Sequence, residues 1–260
     1  MDPRHRVVII TGASSGIGAA TARCFAAVGA RLALAARSAD ALTRLAAELP
    51  QAIAVPTDVS DPAACARLVE QTVATYGGVD ILINNAGIGL TGPVTSLARA
   101  DLERVLAVDL LGPIWLIQAV APVMRAAGRG QIINVSSVLA VQPLPYLGGY
   151  AAAKAALEQI SNALRIELHG SGIVVTVVRP GTTRTAFNQR RLGSGRERRC
   201  IAPPGVPPEA VARAILRAAR TEPRLAYVSW IDRLALLAGR LAPGLIDAVL
   251  ARAFGWEEQR

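Results

Sequence analysis

The run Val7-Val8-Ile9-Ile10-Thr11-Gly12-Ala13-Ser14-Ser15-Gly16-Ile17-Gly18 decides how this 260-residue chain folds. Its first five residues are β-branched and favour extended backbone, and Gly12 then breaks the strand. Beyond Gly18 an alanine-rich stretch continues with helical period. A strand that turns through glycines into a helix presents the unpaired N–H groups of the helix start. Glycine also lets the backbone come within hydrogen-bonding distance of a pyrophosphate. Gly12, Ser14, Ser15, Gly16, Ile17 and Gly18 are therefore candidate cofactor-binding residues. Their spacing, G-x-x-x-G-x-G, differs from the commoner G-x-G-x-x-G, and an ordinary tight turn is the alternative.

The alternation of strand and helix continues on both sides of this turn. Short apolar runs at 6–11, 31–36, 52–56, 79–83, 131–135, 173–178 and 225–229 are separated by longer segments of helical period. That pattern predicts a Rossmann-type doubly wound parallel α/β sheet of about seven strands with helices on both faces. No linker divides the chain before Gly181, so residues 1–260 read as one NAD(P)-binding domain. Segment 182–208, rich in Arg, Gly and Pro, follows the sixth strand and is expected to cover the ligand edge as a mobile substrate lid. Residues 231–260 read as a C-terminal helical extension.

Composition removes several function classes. At 52% hydrophobic and 18% charged, the chain can bury a core and is not globally disordered. Cys24, Cys65 and Cys200 are too scattered for a disulfide framework or a metal clip, and with only His5 and His169 no metal site is expected. The N-terminus reaches a strand at once, which argues against a secretory signal, and no apolar run was found to approach the ~20 residues of a membrane span. A cytoplasmic location is expected. The formal charge is +9, from 28 Lys+Arg against 19 Asp+Glu, but all the basic residues except Lys154 are arginine. Scattered arginines read as a compositional habit rather than a nucleic-acid surface, although Arg184, Arg190, Arg191, Arg196, Arg198 and Arg199 do cluster.

The second strand ends in Ala36-Arg37-Ser38. A fold that prefers NAD puts a carboxylate here for the ribose 2′-hydroxyl; this chain offers Arg37, so NADP is favoured over NAD. An Arg–phosphate contact is worth ~1.5–3 kcal/mol, roughly ten- to a hundredfold in preference. A solvated helix start is the alternative. The fourth strand ends in Asn84-Asn85-Ala86-Gly87, whose small residues would admit a flat ring and whose asparagines could tie neighbouring strands.

The fifth strand and next helix carry Ser136-Ser137 and Tyr150-Ala151-Ala152-Ala153-Lys154. Residues four apart share a helix face, so Tyr150 and Lys154 point the same way. A tyrosine working near neutrality must drop about three units from ~10, or roughly 4 kcal/mol. A cation at ~4 Å in an effective dielectric of about 20 supplies energy of that order. The chain's single lysine standing here favours a functional reading over a snorkelling one.

Taken together, Thr11 to Gly18, Asn84 to Gly87, Ser137, Tyr150 to Lys154 and Pro180-Gly181 resemble, in order and spacing, the classical short-chain dehydrogenase/reductase (SDR) family. The resemblance covers about residues 6 to 230. It implies Ser137, Tyr150 and Lys154 as catalytic residues, with Ser137 preferred to Ser136 because the family spaces its serine thirteen positions before the tyrosine. It further implies cofactor contacts from Asp58, Val59, Asn85, Ala86, Gly87, Pro180, Gly181 and Thr185, with Tyr150 and Lys154 also touching the cofactor. Where the family carries a relay asparagine this chain has Asp109, which enters the catalytic set with its role open, since an ionised carboxylate only accepts hydrogen bonds. Ala153 stands where serine is common.

The reading is an NADP-dependent oxidoreductase moving hydride between NADPH and a carbonyl or secondary alcohol. Leu139, Val141, Leu144, Pro145 and Tyr146 suggest a hydrophobic substrate. A non-catalytic NADP-binding module is the alternative, supported only by Asp109; nucleic-acid binding is not expected. Family resemblance implies a homodimer or homotetramer, with which the apolar stretch 106–123 is compatible. In 231–254, Ile231, Leu234, Leu237, Leu241, Leu245 and Val249 form an apolar stripe broken at Pro243-Gly244, with Arg233 and Arg240 off it and Arg252 at its end. Two readings of this stripe stand: packing over the pocket or a second subunit, and peripheral contact with a membrane.

Overall fold

The structure, a computed structural model, describes residues 1–194 and 205–254. In chain order its elements are β1 (Val7–Thr11), α1 (Gly16–Ala26), β2 (Arg31–Ala36), α2 (Ala39–Glu48), β3 (Ala52–Pro56), α3 (Pro62–Tyr76), β4 (Ile81–Asn84), β5 (Leu90–Thr91), α4 (Arg99–Leu106), α5 (Gly112–Ala126), β6 (Gly130–Val135), α6 (Gly148–Glu167), β7 (Ile173–Arg179), β8 (Leu192–Gly193), α7 (Pro208–Thr221), β9 (Leu225–Tyr227), α8 (Trp230–Leu241) and α9 (Pro243–Phe254).

Seven strands form one parallel sheet in the order β3-β2-β1-β4-β6-β7-β9. Alternate side chains of each strand enter opposite layers. Val8, Ile10, Leu32 and Leu34 pack with Phe25 of α1, Leu42 of α2 and Ile215 of α7. Ile9, Leu82 and Ile132 pack with Leu68 of α3 and with Leu116, Val120 and Met124 of α5. Both faces are thus dry, which is why these strands are apolar throughout. Strand order reverses between β1 and β4, and at such a switch point the loops part to leave a crevice at the carboxyl edge.

Two short strands were not foreseen. β5, just beyond β4, pairs in parallel with β8, and Thr183 bridges Val206. The described part of the expected lid is thereby fastened across the carboxyl edge. Arg196, Arg198, Arg199 and Cys200 lie outside the described residues.

The helical run Arg99–Ala126 corrects one expectation, for it is long and apolar enough by composition to cross a membrane. It is a core element here, because Val105, Val108, Leu116, Val120 and Met124 are all buried. Between α4 and α5 the turn Ala107–Leu111 widens into a π-helix, with the Gly112 N–H donating to the Ala107 carbonyl. Pro113 explains the widening: it has no N–H for the carbonyl of Asp109, four residues earlier.

Candidate active site

The glycine turn lies at the switch point and is locked from β4. Thr11 Oγ1 accepts from the N–H groups of Asn85 and Ala86 at 2.9 and 3.0 Å, and Asn85 Nδ2 donates to the Thr11 carbonyl at 2.8 Å. A β-carbon on Gly12, whose φ is +65°, would sit 2.9 Å from Ala86 Cα, and one on Gly18 would lie 2.7 Å from Asn85 Nδ2. The glycines are therefore required by close packing as well as by backbone conformation. Ser15 is the N-cap of α1 but makes no side-chain cap. The first N–H groups of that helix are left to a ligand, and Ser14, Ser15, Gly16 and Ile17 surround them. Thr185 packs over Gly16.

Arg37 is exposed just beyond β2 and forms no ion pair among the described residues. The next residue, Ser38, caps α2 in name only, with no side-chain hydrogen bond. After β3, Asp58 accepts from the N–H and hydroxyl of Ser60 at 3.0 and 2.6 Å, and its other oxygen pairs with Arg104 of α4 at 3.0 Å. Burial alone would raise the Asp58 carboxyl, yet the Ser60 hydrogen bonds and the Arg104 guanidinium bring it down to about 2. Arg104 was missed in the sequence because it lies 46 residues from its partner. Val59 is buried and meets the start of α5 at Gly112.

Asn84 and Asn134 are register partners on β4 and β6. Their side chains join at 2.9 Å, and Asn134 continues to Ser161 of α6 at 2.8 Å. This fastens α6 to the sheet, as the asparagines suggested. Ser136 is spent elsewhere, its hydroxyl donating at 2.7 Å to Glu158, which also forms a buried ion pair with Arg179. Ser137 is left facing the cleft. It opens a tight turn, accepting from the Leu139 N–H at 3.1 Å, while the Val138 N–H binds the Pro180 carbonyl at 3.0 Å. The Pro180-Gly181 turn is thus held beside Ser137.

Tyr150 and Lys154 share the α6 face that looks toward Ser137, with the ammonium 5.8 Å from the phenol ring centre. Phe187, from the segment across the carboxyl edge, meets the Tyr150 ring edge-on at 5.7 Å. Lys154 Nζ donates to the Val135 carbonyl at 3.2 Å and stands 3.1 Å from Asp109 Oδ2. Asp109 is completely buried, and its other oxygen accepts from the Ile88 N–H at 2.8 Å. A β-carbon on Gly87 would fall 2.9 Å from Asp109 Oδ2, so only glycine fits over this pair.

The electrostatics correct one expectation. Lys154 pulls the Tyr150 phenol down as expected, but the pull is outweighed and the pKa is raised. Burial is the largest cause; Lys154 and a nearby Ser137 hydroxyl pull it down, while Asp109 pushes it up. Burial also raises the Asp109 carboxyl against the pull of Lys154. The Lys154 ammonium, which burial would lower, is raised by Asp109 and Tyr150. The lysine's charge is already matched by the carboxylate, so less of it reaches the phenol.

The doubly wound sheet, with a glycine cradle and a Ser-Tyr-Lys cluster at its switch point, defines an α/β oxidoreductase of the Rossmann type. The short chain dehydrogenase family pattern matches residues 6–193. The chain is 33% identical over 263 residues to dehydrogenase/reductase SDR family member 7B of Bos taurus, covering 95% of this chain and 81% of that protein. It is 34% identical over 187 residues to 3-ketodihydrosphingosine reductase of Bacteroides thetaiotaomicron, covering 72% and 67%. A crystal structure of a short-chain dehydrogenase/reductase from Burkholderia phymatum in complex with NAD superposes with a TM-score of 0.85 at 24% identity, over 94% of this chain and 96% of that one. This chain belongs to the short-chain dehydrogenase/reductase family.

Proposed function

We propose that the chain is an NADP-dependent reductase of hydrophobic ketones, with Tyr150 as general acid. The observation that carries this reading is the convergence of Ser137, Tyr150 and Lys154 beside a turn whose Gly12 and Gly18 leave no room for a β-carbon. The residues fit a dinucleotide. The uncapped start of α1 suits a pyrophosphate, Arg37 with Ser38 suits a 2′-phosphate, and Asp58, Val59 and the strand ends at Asn85-Ala86-Gly87 and Pro180-Gly181 would border the rest, with Thr185 near the nicotinamide end. NADP rather than NAD rests on Arg37. When bound, the nicotinamide supplies the hydride.

Tyr150 gives its proton to the carbonyl oxygen as negative charge develops there, and Ser137 donates a hydrogen bond to the same atom. Lys154 would hold the ribose hydroxyls of a bound cofactor and would stabilise the phenolate left behind. Asp109 acts through Lys154 as a positioning residue, fixing the ammonium between α6 and the π-turn.

The half-buried apolar wall from Leu139 through Val141, Leu144, Pro145 and Tyr146 suits a lipophilic substrate, and the Bacteroides relative is by its name a ketone reductase. Two or four copies are expected to associate through α5 and α6; Leu111, just before α5, and Ile160 of α6 stay exposed. Following NADPH and NADH consumption with a panel of alkyl, steroid and acyl ketones tests the reading. Turnover with NADPH is expected. A chain that binds NADPH but turns over no ketone would instead be a binding module.

A further inference from the structure

α8 presents two opposite faces. Toward the protein it turns Asp232, Leu236 and Gly239. A β-carbon on Gly181 would lie 2.5 Å from Asp232 Oδ2, and the Gln142 side chain packs directly on Gly239. Gly181 belongs to the turn beside Ser137, and Gln142 follows Leu139 and Val141 in the apolar wall. The inner face of α8 is therefore part of the rim of the substrate cleft.

At about 100° per residue, Trp230, Leu234, Leu237 and Leu241 fall diametrically opposite that inner face. All four are more than half exposed, as are Leu245 and Val249 of α9, a helix with no buried residue. Arg233 and Arg240 stand together on one flank of the α8 stripe, and Arg252 follows that of α9 at its C-terminal end. Among the described residues none of these arginines has an acidic partner.

We propose that the α8–α9 pair lies flat on an anionic lipid surface and sets the mouth of the substrate cleft against the bilayer. Each helix has 12 residues, so at ~1.5 Å per residue neither reaches across the ~30 Å of hydrocarbon. The two are bent by 111° between Leu241 and Pro243, so they do not continue one another as a single straight helix. Trp230 and the flanking arginines are the side chains that settle at a headgroup boundary. The charge of +9 matches an anionic surface better than a second copy of the same cationic chain. Substrate dissolved in the membrane would then meet the cleft at the α8 rim; that step alone rests on the proposed reduction of hydrophobic ketones.

The test uses the full chain with vesicles of phosphatidylcholine, with and without phosphatidylserine. Sedimentation is expected with the anionic vesicles, weakened by salt and absent with the neutral ones. The double variant Leu237→Glu, Leu241→Glu alters side chains 51% and 77% exposed and should fold normally. It is expected to lose at least about tenfold in vesicle binding while keeping its oligomeric mass and its turnover of a short water-soluble ketone. No binding by the unaltered chain, or equal binding by the variant, overturns the proposal. A fall in oligomeric mass in the variant also overturns it, and assigns the face to a second copy. Salt-sensitive binding without turnover of any ketone supports the surface and strikes only the proposed reaction.

Discussion

Asp109 Oδ2 lies 3.1 Å from Lys154 Nζ, with both side chains shut away from solvent. A buried ion pair so close to the Tyr150 phenol ties three titrating groups together. Asp109 pushes the Tyr150 phenol up directly, and it also holds the ammonium that pulls the phenol down.

The Asp109→Asn variant should therefore move the alkaline limb of alcohol oxidation to lower pH. Oxidation needs the phenolate, and removing the carboxylate removes one of the influences that raise the Tyr150 pKa. Ketone reduction at neutral pH should be kept or increased. The pH dependence of kcat in both directions measures this, and an unmoved oxidative limb would show that the Asp109 field does not reach the phenol.

Replacing Tyr150 with Phe removes the proposed proton donor while keeping the ring against Phe187. Reductive kcat should fall by at least ~100-fold, the lower range for loss of general acid catalysis, with NADPH binding retained. Fluorescence titration and stopped-flow turnover separate the two quantities. Lys154→Arg should also fail, since a planar fork cannot take the place of a compact ammonium between Asp109 and the Val135 carbonyl.

Cofactor choice should respond to Arg37→Asp. The change removes an attraction for the 2′-phosphate and adds a repulsion, so the NADPH-to-NADH ratio of kcat/KM should drop by ten- to a hundredfold or somewhat more. An unchanged ratio would place selectivity elsewhere.

Acid stability should depend on Asp58. Its folded pKa is lowered from 3.8 to about 2, so its contribution is present above about 4 and is lost as pH falls toward 2. Thermal melts of Arg104→Ala and the unaltered chain should differ at neutral pH and converge across that window. Because both side chains are more than a third exposed, the difference should shrink in high salt.

Much of the fold is legible in one dimension because strand and helix each carry their own period. The strands at Arg31–Ala36 and Ala52–Pro56 have the bounds that the pattern predicts, and the other five differ only at their ends. β5 and β8 escaped because two residues carry no period, and their pairing joins segments a hundred residues apart. Lys154 stood out because it is the chain's one lysine, and Tyr150 because a helix puts residues four apart on one face.

The sequence alone thus determined the local pieces of the candidate site: helical spacing puts Tyr150 and Lys154 on one face, and glycines mark where the backbone leaves room for close approach. Only the tertiary structure decided how those residues behave. Asp109 meets Lys154 from the π-turn between α4 and α5, and Arg104 reaches Asp58 across 46 residues of chain. Ser136 is taken by Glu158, which leaves Ser137 to the cleft. Proton affinity depends on burial and on charges a few ångströms away, and those distances exist only once the sheet has brought distant segments together.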